Sequence, residues 1–113
     1  MTDMNEILKA QEYITSEILE YVTNDVVTKT ILKKTSGTVS IMAFDQGQGL
    51  LEKSSPFDHF MQFIDGSAEL VISGASILLQ TGHSILVPAH APFHIKPNGR
   101  FKIILTLIKS GYE

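Results

Sequence analysis

The hydrophobic period of the chain changes at about Val26, and that change constrains the fold more than any other feature. Beyond it the apolar residues alternate as they do on strands. Val26-Val27-Thr28-Lys29-Thr30-Ile31-Leu32 and Thr38-Val39-Ser40-Ile41-Met42-Ala43-Phe44 are rich in β-branched side chains, which suit a pleated, half-buried surface. Gly37 marks a turn between them. Shorter strands are expected at His59 to Ile64, Ala68 to Ile72, Ser76 to Gln80, Ser84 to Val87 and Phe101 to Ile108. The breaks carry Asp65-Gly66, Ser73-Gly74, Thr81-Gly82 and Pro97-Asn98-Gly99, all of them turn chemistry. Short strands with turns roughly every 8–12 residues predict an all-β sandwich or barrel, not an α/β fold.

Before Val26 the spacing reads as helical. Asp3 and Glu6 form a capping pair, and Ile7, Leu8, Ala10, Gln11 and Ile14 give a partial apolar stripe. The expected organisation is one domain, with residues 1–25 as an N-terminal helix and lead-in and residues 26–113 as the barrel. The last strand is apolar on both faces over its second half, so both faces must be covered. Either the N-terminal helix or a second subunit supplies that cover, and a homodimer is the expectation.

Composition excludes several functional classes. Hydrophobic content of 43% and charged content of 19% are those of a folded domain. The net charge is -3 with no dense Lys/Arg cluster, which argues against a nucleic-acid partner. Zero cysteines exclude disulfides, thiolate catalysis and cysteine zinc sites. No apolar run reaches the roughly 20 residues that span a bilayer. Asp3, Glu6 and Lys9 interrupt any signal-peptide core within Met1 to Ala10. The expected location is cytoplasmic, away from any membrane.

The stretch from Gly47 to Asn98 resembles the two sequence motifs of the cupin superfamily. The first motif spaces a Gly, a His-x-His pair, a Glu and a closing Gly, and Gly47 and Gly66 stand at the two glycine positions. The second runs Gly, Pro, His, and Gly82 and Pro88 match its first two members. The resemblance implies a single-domain jelly-roll barrel with a short N-terminal helix. It also implies where a metal would sit, since a typical member uses three His and one Glu facing the interior. Carried over by spacing, these fall on Lys53, Ser55, His59 and Phe93, with His94 next door.

Of these only His59 ligates as it stands. An ammonium repels a cation, a neutral hydroxyl binds one poorly, and a benzyl group does not bind one at all. Strand alternation puts Phe93 and Ile95 inside and His94 outside, unless a bulge beside Pro92 shifts the register. It also puts His59, Met61 and Phe63 on one face and Phe60, Gln62 and Ile64 on the other. His59 then reads either as a polar anchor in a pocket or as a core histidine satisfied by a backbone bond. Lys53 reads either as a pocket cation or as a side chain that snorkels to the mouth. His83 and His90 fall in loops, and nothing brings Ser54 or Ser55 to a base.

The function expected is a barrel that binds a small polar metabolite without cofactor or metal through Lys53, Ser55, His59, Met61 and Phe93. The alternative is a small-molecule isomerase or dioxygenase, using a divalent transition metal on a rearranged His59/His94 pair or His59 as a base. A third reading is a scaffold with a filled barrel whose role lies in its subunit interface. The sequence leaves open whether the chain is an enzyme.

Overall fold

The alternation at Val26 does begin a strand. A computed structural model describes residues 6–109, and seven strands lie within them: β1 (Val26–Lys34), β2 (Gly37–Phe44), β3 (Leu50–Lys53), β4 (Asp58–Ile72), β5 (Ala75–Gln80), β6 (Ser84–Val87) and β7 (Phe93–Ile108). All pairings are antiparallel. β4 and β7 pair along their whole length, from Asp58 opposite Ile108 to Ile72 opposite Phe93. Each is long enough to bend and serve two walls. The first wall orders β1, β2, the second half of β7, the first half of β4, and β6. The second orders β3, the first half of β7, the second half of β4, and β5. Two antiparallel walls joined by two shared strands make a jelly-roll barrel.

The bend in β4 corrects the sequence reading. Asp65-Gly66 was expected to separate two strands, and it is instead a kink inside one. Register shifts flank it, between Phe63 and Asp65 and between Gly66 and Ala68. Gly66 has φ +78, and a side chain there would run into the Arg100 carbonyl and come within 2.9 Å of the Phe101 Cα. Pro97-Asn98-Gly99, also expected as a break, is the matching bend inside β7. Turn chemistry is local, but the ladder continues on both sides of it and carries the strand through. β3 was not anticipated.

The interior is aromatic. Phe44 and Phe101 are cross-strand partners whose rings stack at 4.3 Å and 9°, and Phe63 stacks on Phe101 at 5.9 Å. All three are fully buried, with Met61, Leu70, Val87, Phe93 and Ile103. Each such side chain contributes roughly 1.5–3 kcal/mol by burial, and a stacked pair about 1 kcal/mol more.

The N-terminal helix is a second correction. Among the described residues, the lead-in contains only a 3-10 turn at Thr15–Glu17. Ala10 and Asn24 both take left-handed φ of 59, which a helix cannot include. β-branched Ile14, Thr15, Val22 and Thr23 add little helical preference. Asp3, half of the expected cap, lies outside the described residues. Its partner Glu6 instead accepts from the Lys33 backbone N–H at 2.5 Å, on the edge strand β1.

The lead-in is held by side chains that alternation places outside the barrel. Arg100 and Lys102, two apart on β7, both lie under the Tyr21 ring, at 5.0 and 4.7 Å from its centre. The Tyr21 hydroxyl donates to Asp65 at 2.7 Å. Burial first, and that carboxylate second, push the phenol well above its ordinary pKa. Lys102, only 5% exposed, donates to the Ser16 carbonyl at 2.6 Å. Buried Asp45 accepts from the Asn24 N–H and from Arg100 Nε, both at 2.6 Å. These two donors, the Asn24 N–H foremost, hold its carboxyl below the usual range. On the outer face Ile41 and Ala43, beside Ile104 and Lys102, are fully buried within the single chain. Farther along that face the cross-strand pair Phe60 and Leu86 remains exposed. No helix among the described residues is long and apolar enough to cross a membrane.

Candidate ligand site in the barrel interior

β4 enters the first wall at Asp58, and its alternation aims His59, Met61 and Phe63 inward. All three are buried, while Phe60 is exposed. His59 lies between Val87 of β6 and Leu107 of β7, both its partners in the ladder. From the opposite wall Phe93 reaches it, the two rings meeting edge-on at 5.7 Å and 63°. β3 lies beside Phe93, and the ladder sets Lys53 directly opposite that residue. Lys53, His59, Met61 and Phe93 thus come together at one end of the barrel.

His59 is 5% exposed, and its Nδ1 is buried without a hydrogen-bond partner among the described residues. Its pKa is pushed down, first by burial and then by the Lys53 ammonium, with Asp58 opposing weakly. Both effects favour the neutral imidazole. Met61 and Phe93 are completely buried beside it.

Lys53 keeps inward register but is exposed at the mouth. Ser55 is engaged within its own loop, where its Oγ accepts the Phe57 N–H at 3.1 Å, and its carbonyl accepts the His90 N–H at 2.6 Å. Phe93 and Ile95 are buried and His94 is on the outer face, opposite Val71. Its Nδ1 sits 3.9 Å from Glu52, with its side chain 27% exposed. The alternative, a bulge that would turn it inward, does not occur: Phe93 to Pro97 pair with β4 without a shift. His59 and His94 are separated by the wall.

The family's metal positions therefore hold an exposed ammonium, an engaged hydroxyl, one buried imidazole and a phenyl ring. That donor set does not fit a divalent cation, which needs several oxygen, nitrogen or sulfur ligands on one point. Among the described residues no three His, Asp or Glu side chains converge.

Asp58 plays a part that the sequence did not suggest. Its Oδ1 accepts the Ala89 N–H at 2.8 Å, and with the Ser55–His90 bond it pins the loop after β6 over the site. The only sequence signal was a polar residue alternating away from His59. His83 is exposed, as expected for a turn. It borders a separate surface cavity of about 530 Å³ between the lead-in and the β5–β6 turn, with Ile14, Ser16 and Gln62 on other sides.

No protein-family model matches the chain, and no curated protein matches it. Solved structures do. A conserved protein of unknown function from Streptococcus pyogenes is similar with a TM-score of 0.87 at 22% identity, over 96% of both chains. A cupin superfamily protein from Desulfitobacterium hafniense gives 0.86 at 20% identity, over 92% of this chain and 95% of the other. A cupin 2 conserved barrel domain protein from Leptotrichia buccalis gives 0.79 at 27% identity, over 83% of this chain and 46% of its own. With two shared strands and these structural likenesses, the chain has the fold of a small cupin barrel.

Proposed function

We propose that this barrel binds a small polar metabolite in its interior, without a metal, and that His59 is the anchor. The carrying observation is the unpartnered Nδ1 of a histidine that is only 5% exposed. A buried polar atom without a partner costs roughly 1–3 kcal/mol, and buried polar groups are satisfied in the great majority of cases. A ligand hydrogen bond at Nδ1 would remove that cost on binding. The surroundings, Met61, Val87 and Phe93, are apolar and hold few competing polar groups, as around small-molecule sites.

A thermal-shift screen with sugars, organic acids and phosphates tests the reading. At least one compound should raise the Tm of the natural chain and leave a His59→Leu variant unmoved. Equal stabilisation of both proteins, or of neither, would refute the anchor. Metal analysis of the purified chain tests the second half: stoichiometric zinc, nickel, manganese or iron that disappears in His59→Ala would contradict a metal-free site.

A His-based enzyme is the second reading, favoured by one observation. Burial favours the neutral form of His59, the form in which an imidazole takes a proton. Turnover of a bound compound, lost in His59→Gln while binding persists, would distinguish it.

A further inference from the structure

We propose that the groove between the lead-in and the β5–β6 turn is a second ligand site, built for an uncharged planar ring that carries a hydrogen-bond donor and acceptor side by side. Gln62 reads that polar edge, and isoleucines hold the ring. The site is separate from the interior one. On β4, Gln62 faces outward between Met61 and Phe63, which are buried inside.

The space is present without any movement of the chain. The cavity measures about 530 Å³ and opens at the surface, within the roughly 300–1,000 Å³ of small-molecule sites. Its floor is the outer face of the first wall. The ladder sets Ser84 of β6 on one side of Gln62 and Ile104 of β7 on the other. Ile64 follows two residues on along β4. Both sides of the groove are tied down. The β5–β6 turn is locked to β4, where the Phe63 N–H donates to the His83 carbonyl and the Gly82 N–H to the Phe63 carbonyl, both at 2.9 Å. Across the groove, the Glu17 N–H donates to the Ile14 carbonyl at 2.8 Å, and buried Lys102 donates to the Ser16 carbonyl. A groove formed in advance lowers the cost of ordering on binding.

The lining selects the class of ligand. None of its side chains is Asp, Glu, Lys or Arg, so a charged ligand would lose hydration without gaining a counter-ion. The half-buried Gln62 side-chain amide makes no hydrogen bond among the described residues. It offers an acceptor and two donors side by side. That pattern matches a primary carboxamide, or the edge of adenine, which glutamine engages through two bonds. The Ser84 hydroxyl, its cross-strand neighbour, both donates and accepts and so follows either polarity. His83 Nδ1 accepts the Gln80 N–H at 3.2 Å, which leaves Nε2 as the donor of the neutral ring. The remaining surfaces are Ile14 on the lead-in and Ile64 and Ile104 on the sheet, apolar contacts that suit the two faces of a ring. A sugar, polar on all its edges, would set hydroxyls against them.

The test uses three probes on the full chain: nicotinamide, adenine and nicotinate. Affinity is read by NMR titration at about pH 8, above the ordinary titration range of histidine. Nicotinamide or adenine should bind, with shift changes gathered at Gln62, His83 and Ser84 and none at the His59 ring. The tighter of the two tells a carboxamide from a nucleobase as the source of the edge. Nicotinate, which keeps the ring and exchanges the amide for a charge, should bind at least about tenfold more weakly. Gln62→Met keeps the length of the side chain and should weaken the better probe about tenfold, as expected for two neutral hydrogen bonds. Ile14→Ser, at an exposed position outside the barrel core, should weaken it about fivefold.

Binding of nicotinate as tight as that of nicotinamide overturns the uncharged class. Affinity unchanged in both variants, shift changes confined to residues outside the groove, or no binding of either neutral probe at millimolar concentration overturns the site. Shift changes at the His59 ring in place of Gln62 would move the ligand to the interior, sinking this inference and leaving the anchor reading intact.

Discussion

The ammonium of Lys102 lies 4.7 Å from the centre of the Tyr21 ring, and the hydroxyl of the same tyrosine donates to Asp65. One lead-in residue thereby engages both long strands, since Asp65 belongs to β4 and Lys102 to β7, and the two are paired. Tyr21→Phe keeps the ring over the cations and removes one hydrogen bond, for a loss of about 1 kcal/mol. Tyr21→Leu removes both, for about 2–3 kcal/mol. Urea titration should rank Leu below Phe below the natural chain. Equal losses would mean that the ring's place over the cations contributes nothing.

Replacing His59 should make the protein more stable. Leucine has no polar atom to strand in the interior and occupies similar space, so His59→Leu is expected to gain about 1 kcal/mol in denaturant unfolding. A gain of stability with loss of ligand binding is the signature of a functional group kept against the interest of the fold. A loss of stability would indicate that Nδ1 is satisfied in solution.

Acidification should destabilise the chain through the same residue. The folded-state pKa of His59 lies below its ordinary value near 6.5, so the unfolded chain takes up the proton first. The contribution is intact above pH 6.5 and is lost as pH falls through the folded-state value. The slope from one group cannot exceed about 1.4 kcal/mol per pH unit. Stability measured from pH 7.5 downward should fall less steeply in His59→Leu. Lys53→Met, which removes one cause of the depression, should also shrink the fall. An identical pH profile in all three proteins would show that His59 does not titrate differently on folding.

Two glycines with nearly the same backbone separate strain from collision. Gly66 and Gly74 have φ of +78 and +85, but a side chain at Gly74 meets open space and one at Gly66 meets the β7 backbone. Gly74→Ala should cost only the left-handed penalty, about 1–2 kcal/mol. Gly66→Ala should cost at least about 3 kcal/mol, because the two bends must move apart. Equal Tm values for the two variants would contradict the close approach of the bends.

What the sequence disclosed follows from how local the determinant is. β6 has the bounds its pattern suggests, Ser84–Val87, because apolar alternation and the flanking Gly82 and Pro88 act within a few residues. The inward turn of His59 and the outward turn of His94 were likewise readable, since one alternating period fixes both. The bends at Gly66 and Gly99 were not, because only the partner strand tells a kink from a turn. β3 escaped notice for a related reason. Leu50 faces the core and Leu51 is 89% exposed, as alternation requires, but the register then shifts before Lys53, which no pattern announces. The Phe57 N–H, two residues on, donates to the Ser55 Oγ, a loop contact that no alternation pattern discloses. The Tyr21 network joins residues far apart in the chain, and its only trace was Arg100 and Lys102 spaced at two in an apolar strand.

The continuous pairing of β4 with β7 also governs how the molecule comes apart. Even the partners closest in sequence, Ile72 and Phe93, have all of β5 and β6 between them. Closing so large a loop must precede any reward from the ladder, so assembly is slow compared with that of a helical protein of this size. Once closed, the ladder runs through both walls, so amide protons on either side of the bend should exchange in a single cooperative opening.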